Sequence, residues 1–209
     1  MTETLPTALS QIVNFLEKIE KDLGVRYYLV GGILVNIYTV FRATQDIDFV
    51  VDIQSKNISI EYYISLLKQN NFFPFQDWTT ATLLAKETKI IQYFDKREIV
   101  KFDNYLIDKF DQSKYKKIGP IALKRRVRES LFNIECWVAS KEDFIMSKLV
   151  FGRWQDYSDA LGCWMRFKER LDLPYMIKTC NVLRIQKEFD LLRSGIDDPD
   201  EYFNQINGY

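Results

Sequence analysis

The stretch that most constrains this chain runs from Tyr28 to Asp52, YLVGGILVNIYTVFRATQDIDFVVD. Val25–Val30 is a β-branched and aromatic run that reads as a strand. Gly31 and Gly32 end it, and Ile33–Phe41 reads as the helix that follows. Asp46–Ile53 alternates and then turns continuously apolar, as a central strand does. On such a strand Asp46 and Asp48 fall on one face, about 6–7 Å apart at the backbone. Carboxylates held that close repel each other unless a cation lies between them. A hard divalent ion such as Mg²⁺ favours carboxylate oxygens. The glycine turn upstream is a place where backbone N–H groups can cradle phosphate. Metal and phosphate are therefore the first expectation.

Composition narrows the chemistry. The 209 residues contain no histidine. That excludes histidine general bases, Ser-His and Cys-His catalysis, and histidine-ligated zinc. Lys+Arg and Asp+Glu both number 29, which argues against a general nucleic-acid coat but leaves room for a local basic patch. With 47% hydrophobic and 15% aromatic residues, the chain can pack one domain, or a catalytic core with a helical extension. Cys136, Cys163 and Cys180 are odd in number and form no CxxC, which suits buried free thiols in a reducing cytosol. The N-terminus lacks a basic region followed by an apolar run, and no segment is apolar enough to span a membrane. A cytoplasmic protein is expected.

Periodicity predicts a helix over Thr7–Leu23, with Thr7 as N-cap and Gly24 as C-cap, and another over Ile58–Gln69. Phe72–Thr82 reads as loop with a possible strand. Thr88–Phe94 and Ile99–Ile107 flank the tetrad DKRE as a β-hairpin. Phe132–Val138 alternates as a strand. Ser140 is an N-cap with Asp143 three residues on, opening a helix to about Gly152. Trp154–Arg170 and roughly Tyr175–Leu192 read as helices, and Gly195–Tyr209 as a polar tail. A mixed sheet followed by helices makes an α+β chain, with a core over 1–139 and a helical C-terminal subdomain over 140–209.

Gly31-Gly32 … Arg42-Ala43-Thr44-Gln45-Asp46-Ile47-Asp48-Phe49 resembles the signature of nucleotidyltransferases of the DNA polymerase β superfamily, most closely the AbiEii-type and minimal nucleotidyltransferases of prokaryotes. The likeness is strong over about Val25 to Asp52 and looser to about Asp159. It implies a polymerase-β-like core, a mixed sheet flanked by helices, and an enzyme that moves a nucleoside monophosphate from an NTP such as ATP to an acceptor hydroxyl. By that likeness Asp46 and Asp48 would hold two Mg²⁺ ions and Gly31 and Gly32 would admit the phosphates. Arg42 and Thr44 would shape the phosphate end, although Arg42 could equally pair with an acid. Thr44 stands where serine is commoner.

A third carboxylate on a later strand completes such a site and can take the proton from the attacking hydroxyl. Asp103, inside the strand IVKFDNYLI, is preferred and Asp108, at its end, is the alternative. Should Asp103 not be catalytic, it is an edge-strand acid paired with a lysine such as Lys101. Lys148 matches a lysine of the family's next helix and is the residue expected to meet a phosphate. Arg153, Asp156 and Asp159 occupy comparable places, either orienting it or forming a surface ion-pair ladder. The basic segment Lys114–Arg128 reads as a contact for phosphates or an RNA acceptor, or as a solvated face. The resemblance also implies tRNA, protein or small-molecule acceptors and a toxin–antitoxin or phage-defence setting. A catalytically quiet nucleotide-binding antitoxin or regulatory partner, and a structural interaction protein with Asp46 and Asp48 at a surface edge, are the competing readings.

Overall fold

The computed structural model describes residues 4–40 and 42–208. Phe41, the last residue of the helix expected after the glycines, lies outside them. The described chain divides into two compact units. One comprises residues 4–33, 43–108 and 126–138, the other 34–40, 42, 109–125 and 139–208.

The first unit is built on a seven-stranded mixed sheet in the order β3-β4-β5-β2-β1-β7-β6. The strands are β1 (Tyr27–Val30), β2 (Asp46–Val51), β3 (Phe73–Pro74), β4 (Ile90–Phe94), β5 (Lys101–Leu106), β6 (Val127–Leu131) and β7 (Ile134–Val138). β2 runs antiparallel to β1 and parallel to β5, so both lie inside the sheet. Asp103 is thus not an edge-strand residue. The expected α+β architecture, helices around a mixed sheet, is what the chain adopts.

Alternation decides which face is buried. Ile47 and Phe49 of β2 and Phe102 of β5 are fully buried. They join Tyr93 and Phe72 in an aromatic cluster with mostly edge-on rings, 5.3–6.4 Å between centroids. Phe15 of α1 (Thr4–Leu23) and Tyr63 of α3 (Ile60–Gln69) close the cluster from their apolar stripes. Burying such rings stabilises each by about 1.5–3 kcal/mol. The opposite face of β2 and β5 carries Asp46, Asp48, Lys101 and Asp103.

Several local expectations are corrected. α1 runs from Thr4, so Thr7 lies inside it and not at its start; Gly24 closes it at φ +68°. Among the described residues of the helix expected over Ile33–Phe41, the chain forms a 3₁₀ turn that includes the glycines, Gly31–Leu34, and then the short α2 (Val35–Tyr38). Phe72–Thr82 contains the strand and loop expected of it, β3 and residues 75–77, but its last five residues open α4 (Trp78–Thr88), which Asp77 caps by accepting from the Thr80 N–H at 2.9 Å. The basic segment folds as α5 (Lys114–Arg125) and then enters β6, a strand its charge concealed. Phe132 and Asn133, at φ +52° and +64°, turn the chain from β6 into β7.

In the second unit α6 (Lys141–Phe151) is buried along most of its length. Ser140 accepts from the Asp143 N–H at 3.1 Å, as its sequence context predicts. α7 (Trp154–Phe167) packs beside α6. The expected helix over 175–192 is two, α8 (Leu173–Leu183) and α9 (Gln186–Arg193), parted by Arg184 at φ +59°. The polar tail contains α10 (Pro199–Asn207), which Asp198 caps; its Tyr202 ring packs against Tyr157 at 4.8 Å between centroids, tilted by 50°. All three cysteines are free and buried, and burial pushes the Cys136 and Cys163 thiols up to about 12. Among the described residues no helix is long and apolar enough to cross a membrane.

Candidate functional site

Pairing between β2 and β5 sets the geometry of the acidic face. Asp46 stands opposite Lys101, and Asp48 opposite Asp103. Both strands show one face, so two acids from β2 meet one acid and one base from β5. The Lys101 ammonium lies 3.1 Å from Asp46 Oδ2 and 3.0 Å from Asp103 Oδ2. Burial alone would lower its pKa, but bonding to Asp103 and Asp46 outweighs that and raises it. On the far side of Asp103, the Gln92 amide of β4 donates to Oδ1 at 2.8 Å. Asp103 is thus fixed by an amide and an ammonium. Its side chain is 13% exposed against 42% for Asp46.

Asp48 meets the glycine turn. Gly31 has φ +72°, and a Cβ built on it would fall 2.0 Å from Asp48 Oδ2. No side chain fits there. The position needs glycine twice over, for its backbone conformation and for the carboxylate lying against it. Gly32 is the second residue of the same 3₁₀ turn, and Thr44 donates to the Asp46 carbonyl at 3.3 Å as the chain enters β2. Asp108 lies beyond the paired residues of β5 and outside the register that sets Asp103 against Asp48.

All the donors on this face are carboxylate oxygens, which suits a hard cation such as Mg²⁺. The bridging ammonium marks a point where two of the carboxylates already converge on one positive charge. The convergence of three acids on one centre is not seen: among the described residues no group of three or more metal-ligating side chains is placed to hold an ion.

Arg42 and Lys148 belong to the second unit and meet there. Arg42 Nε donates to Asp159 Oδ1 at 3.2 Å and its Nη2 to Oδ2 at 3.0 Å, a two-bond fork that raises its pKa. Lys148 Nζ lies 2.7 Å from Asp159 Oδ2 and 3.0 Å from Asp156 Oδ1. Arg153 Nε holds Asp156 Oδ2 at 2.7 Å. The result is an alternating row, Arg42–Asp159–Lys148–Asp156–Arg153. It is not a surface ladder, since the Asp156, Asp159 and Lys148 side chains are only 2–8% exposed. The pairing of Arg42 with an acid is the alternative its sequence context left open.

Sequence reasoning missed a second buried cluster. Asp143 is fully buried, bonded to Ser140 and to the Tyr175 hydroxyl, with Arg125 stacked 3.7 Å over the Tyr175 ring. Burial raises the Asp143 pKa. Within the basic segment, Arg125 also faces Glu142 and Asp172, and Arg126 pairs with Glu20 and stacks on Trp137. These two arginines hold structure together in their own units. A groove of about 410 Å³ along α1, floored by Phe15 and Phe72, shares no residue with the acidic face.

No protein-family model matches the sequence, and no curated protein does. Solved structures with which it shares a likeness include an antigenic nucleotidyltransferase-like protein from Paracoccidioides brasiliensis, at 17% identity over 92% of this chain and 95% of that one, with a TM-score of 0.49. Another is the lincosamide antibiotic adenylyltransferase LnuA, lincomycin-bound, at 16% identity over 74% of this chain and 94% of that one, with a TM-score of 0.44. Likenesses this distant do not say what the chain does.

Proposed function

We propose that this chain is a Mg²⁺-dependent nucleotidyltransferase that passes a nucleoside monophosphate from an NTP to an acceptor hydroxyl and releases pyrophosphate. The observation that carries the reading is the registered pair Asp48 and Asp103 on adjacent parallel strands, with Asp46 on the same face and Gly31 beneath Asp48. Asp46, Asp48 and Asp103 would hold the metal, which when bound supplies charge neutralisation at the phosphates. Asp103, oriented by Gln92, takes the proton of the acceptor hydroxyl. Gly31 makes room for the Asp48 carboxylate, the backbone N–H groups of the Gly31–Gly32 turn would meet the phosphates beside it, and Thr44 braces the entry to β2. Arg42 keeps a third of its side chain exposed and can turn a donor to a phosphate oxygen. Lys148, held between two buried acids, contributes by setting Asp159 and so Arg42. Acceptors are drawn from tRNA ends, a partner protein or a small molecule, in the toxin–antitoxin or phage-defence setting that the resemblance implies.

A specific observation favours a second reading. Lys101 already neutralises two of the acids, as suits a quiet nucleotide-binding antitoxin or regulatory partner. Incubation with each α-labelled NTP, Mg²⁺, total tRNA and cell lysate, beside Asp46→Ala/Asp48→Ala, separates the two. Transfer that disappears in the double variant supports the enzyme. Mg²⁺-dependent NTP binding without transfer supports the quiet partner. Transfer that survives the double substitution removes the site.

A further inference from the structure

We propose that Lys101 is a built-in stand-in for the divalent cation, which the metal must displace and which the nucleotide's phosphates then receive. The inference rests on the metal-binding reading of the acidic face. β-pairing puts Lys101 directly opposite Asp46 and two residues from Asp103, on their face of the sheet. Its ammonium is 3.0–3.1 Å from one Oδ2 of each. A hard cation must approach those carboxylates to about 2.0–2.1 Å. Ammonium and metal cannot both occupy that place, because they would repel at contact distance. The lysine stem is flexible and its side chain is 25% exposed, so the ammonium can swing clear without any movement of the strands.

The exchange has a direction. Metal arriving alone breaks two ion pairs and leaves an ammonium beside a new positive charge. Metal arriving with a triphosphate brings anionic oxygens that can pair with the released ammonium. The divalent ion therefore binds weakly by itself and tightly with nucleotide, and by linkage the nucleotide binds tightly only with the ion. Lys101 is a positioning residue in this scheme, setting the order of loading.

The test uses the full chain, Mn²⁺ as probe ion and an ATP analogue with an unreactive α,β-methylene bridge. Mn²⁺ affinity is read by electron paramagnetic resonance for wild type, Lys101→Met and Lys101→Arg. Without nucleotide, Lys101→Met should bind Mn²⁺ about tenfold more tightly than wild type, the size expected for two partly exposed ion pairs. The tightening produced by the analogue should shrink by a similar factor, while Lys101→Arg stays near wild type. Equal or weaker Mn²⁺ binding by Lys101→Met overturns the inference while leaving the metal site standing. Absence of Mn²⁺ binding in wild type, with and without analogue, overturns both. Amine acylation followed by mass spectrometry needs no variant: labelling of Lys101 in wild type should rise with Mg²⁺ alone and fall again when the analogue is added. Labelling indifferent to Mg²⁺ contradicts displacement.

Discussion

Two of the places where carboxylates gather, the sheet face and the α6–α7 row, are neutralised in opposite ways. On the sheet, Asp46 and Asp103 share a single ammonium, and Asp46 keeps 42% of its side chain exposed. In the helical unit, Asp156 and Asp159 are met by Arg42, Lys148 and Arg153 and are sealed at 2–4% exposure. Exposure decides what each arrangement can do. A half-solvated ion pair is worth under about 1 kcal/mol and exchanges readily for another ion. A buried pair stripped of one member leaves a charge that costs several kcal/mol. The first cluster is suited to trading cations, the second to keeping them.

The sharpest way to break this contrast is at the sheet. Asp48→Asn and Asp103→Asn should each lower nucleotidyl transfer about 10³-fold, near 4 kcal/mol in the barrier. Melting temperatures should hold or rise, because one of several repelling charges has gone. Asp108→Asn should be close to silent, and an equal loss there in labelled-NTP assays would move the third acid to Asp108. In the helical unit the emphasis reverses. Asp159→Ala leaves buried Lys148 with one acid in place of two and Arg42 without its fork, and should cost about 2 kcal/mol in urea unfolding. A loss of under about 0.5 kcal/mol would mean that solvent reaches Lys148.

Gly31→Ala should cost about 2 kcal/mol, through a positive φ and a displaced Asp48, and should weaken Mn²⁺ binding as well as stability. The smallest effect is on acid stability. For Asp156, burial raises the pKa but Arg153 and Lys148 hold it below its ordinary 3.8. Its contribution is therefore present above that value and is lost as pH falls through the lowered pKa. Asp143 has the opposite sign: burial lifts its pKa, so acidification from neutral pH toward 3.8 adds stability as it protonates. Urea midpoints across pH 2.5–6 should lose the acid-side fall in Asp156→Asn and the rise above it in Asp143→Asn.

What could be read from sequence follows from the range of each signal. Period two alone put Asp46 and Asp48 on one face, and an acid among apolar neighbours singled out Asp103. That Asp103 stands opposite Asp48 depends on parallel pairing across more than fifty residues, which no local pattern encodes. Lys101 was visible as a neighbour of Asp103, but not as a bridge to Asp46. α4 was hidden because Trp78–Thr88 has only a weak apolar stripe, with Ala81 and Ala85 as its buried residues. β6 was hidden because Arg126 and Arg128 read as surface charge, whereas Arg126 packs its guanidinium on Trp137. The burial of Lys148 between two acids could not be inferred, since the same spacing on a solvated helix face gives an ordinary ladder.

The contact between Gly31 and Asp48 also governs how this sequence can drift. Two positions seventeen apart behave as one character. While residue 48 carries a carboxylate, residue 31 is confined to glycine. If residue 48 shrinks to alanine, the carboxyl group's collisions disappear, and what still holds residue 31 to glycine is the remaining Cβ at 48, 2.8 Å away, together with the backbone preference at 31. Lineages of this chain that abandon the acid should therefore lose the glycine afterwards and not before. A descendant with glycine at 31 but no acid at 48 would mark a recent loss, and one with neither an old one.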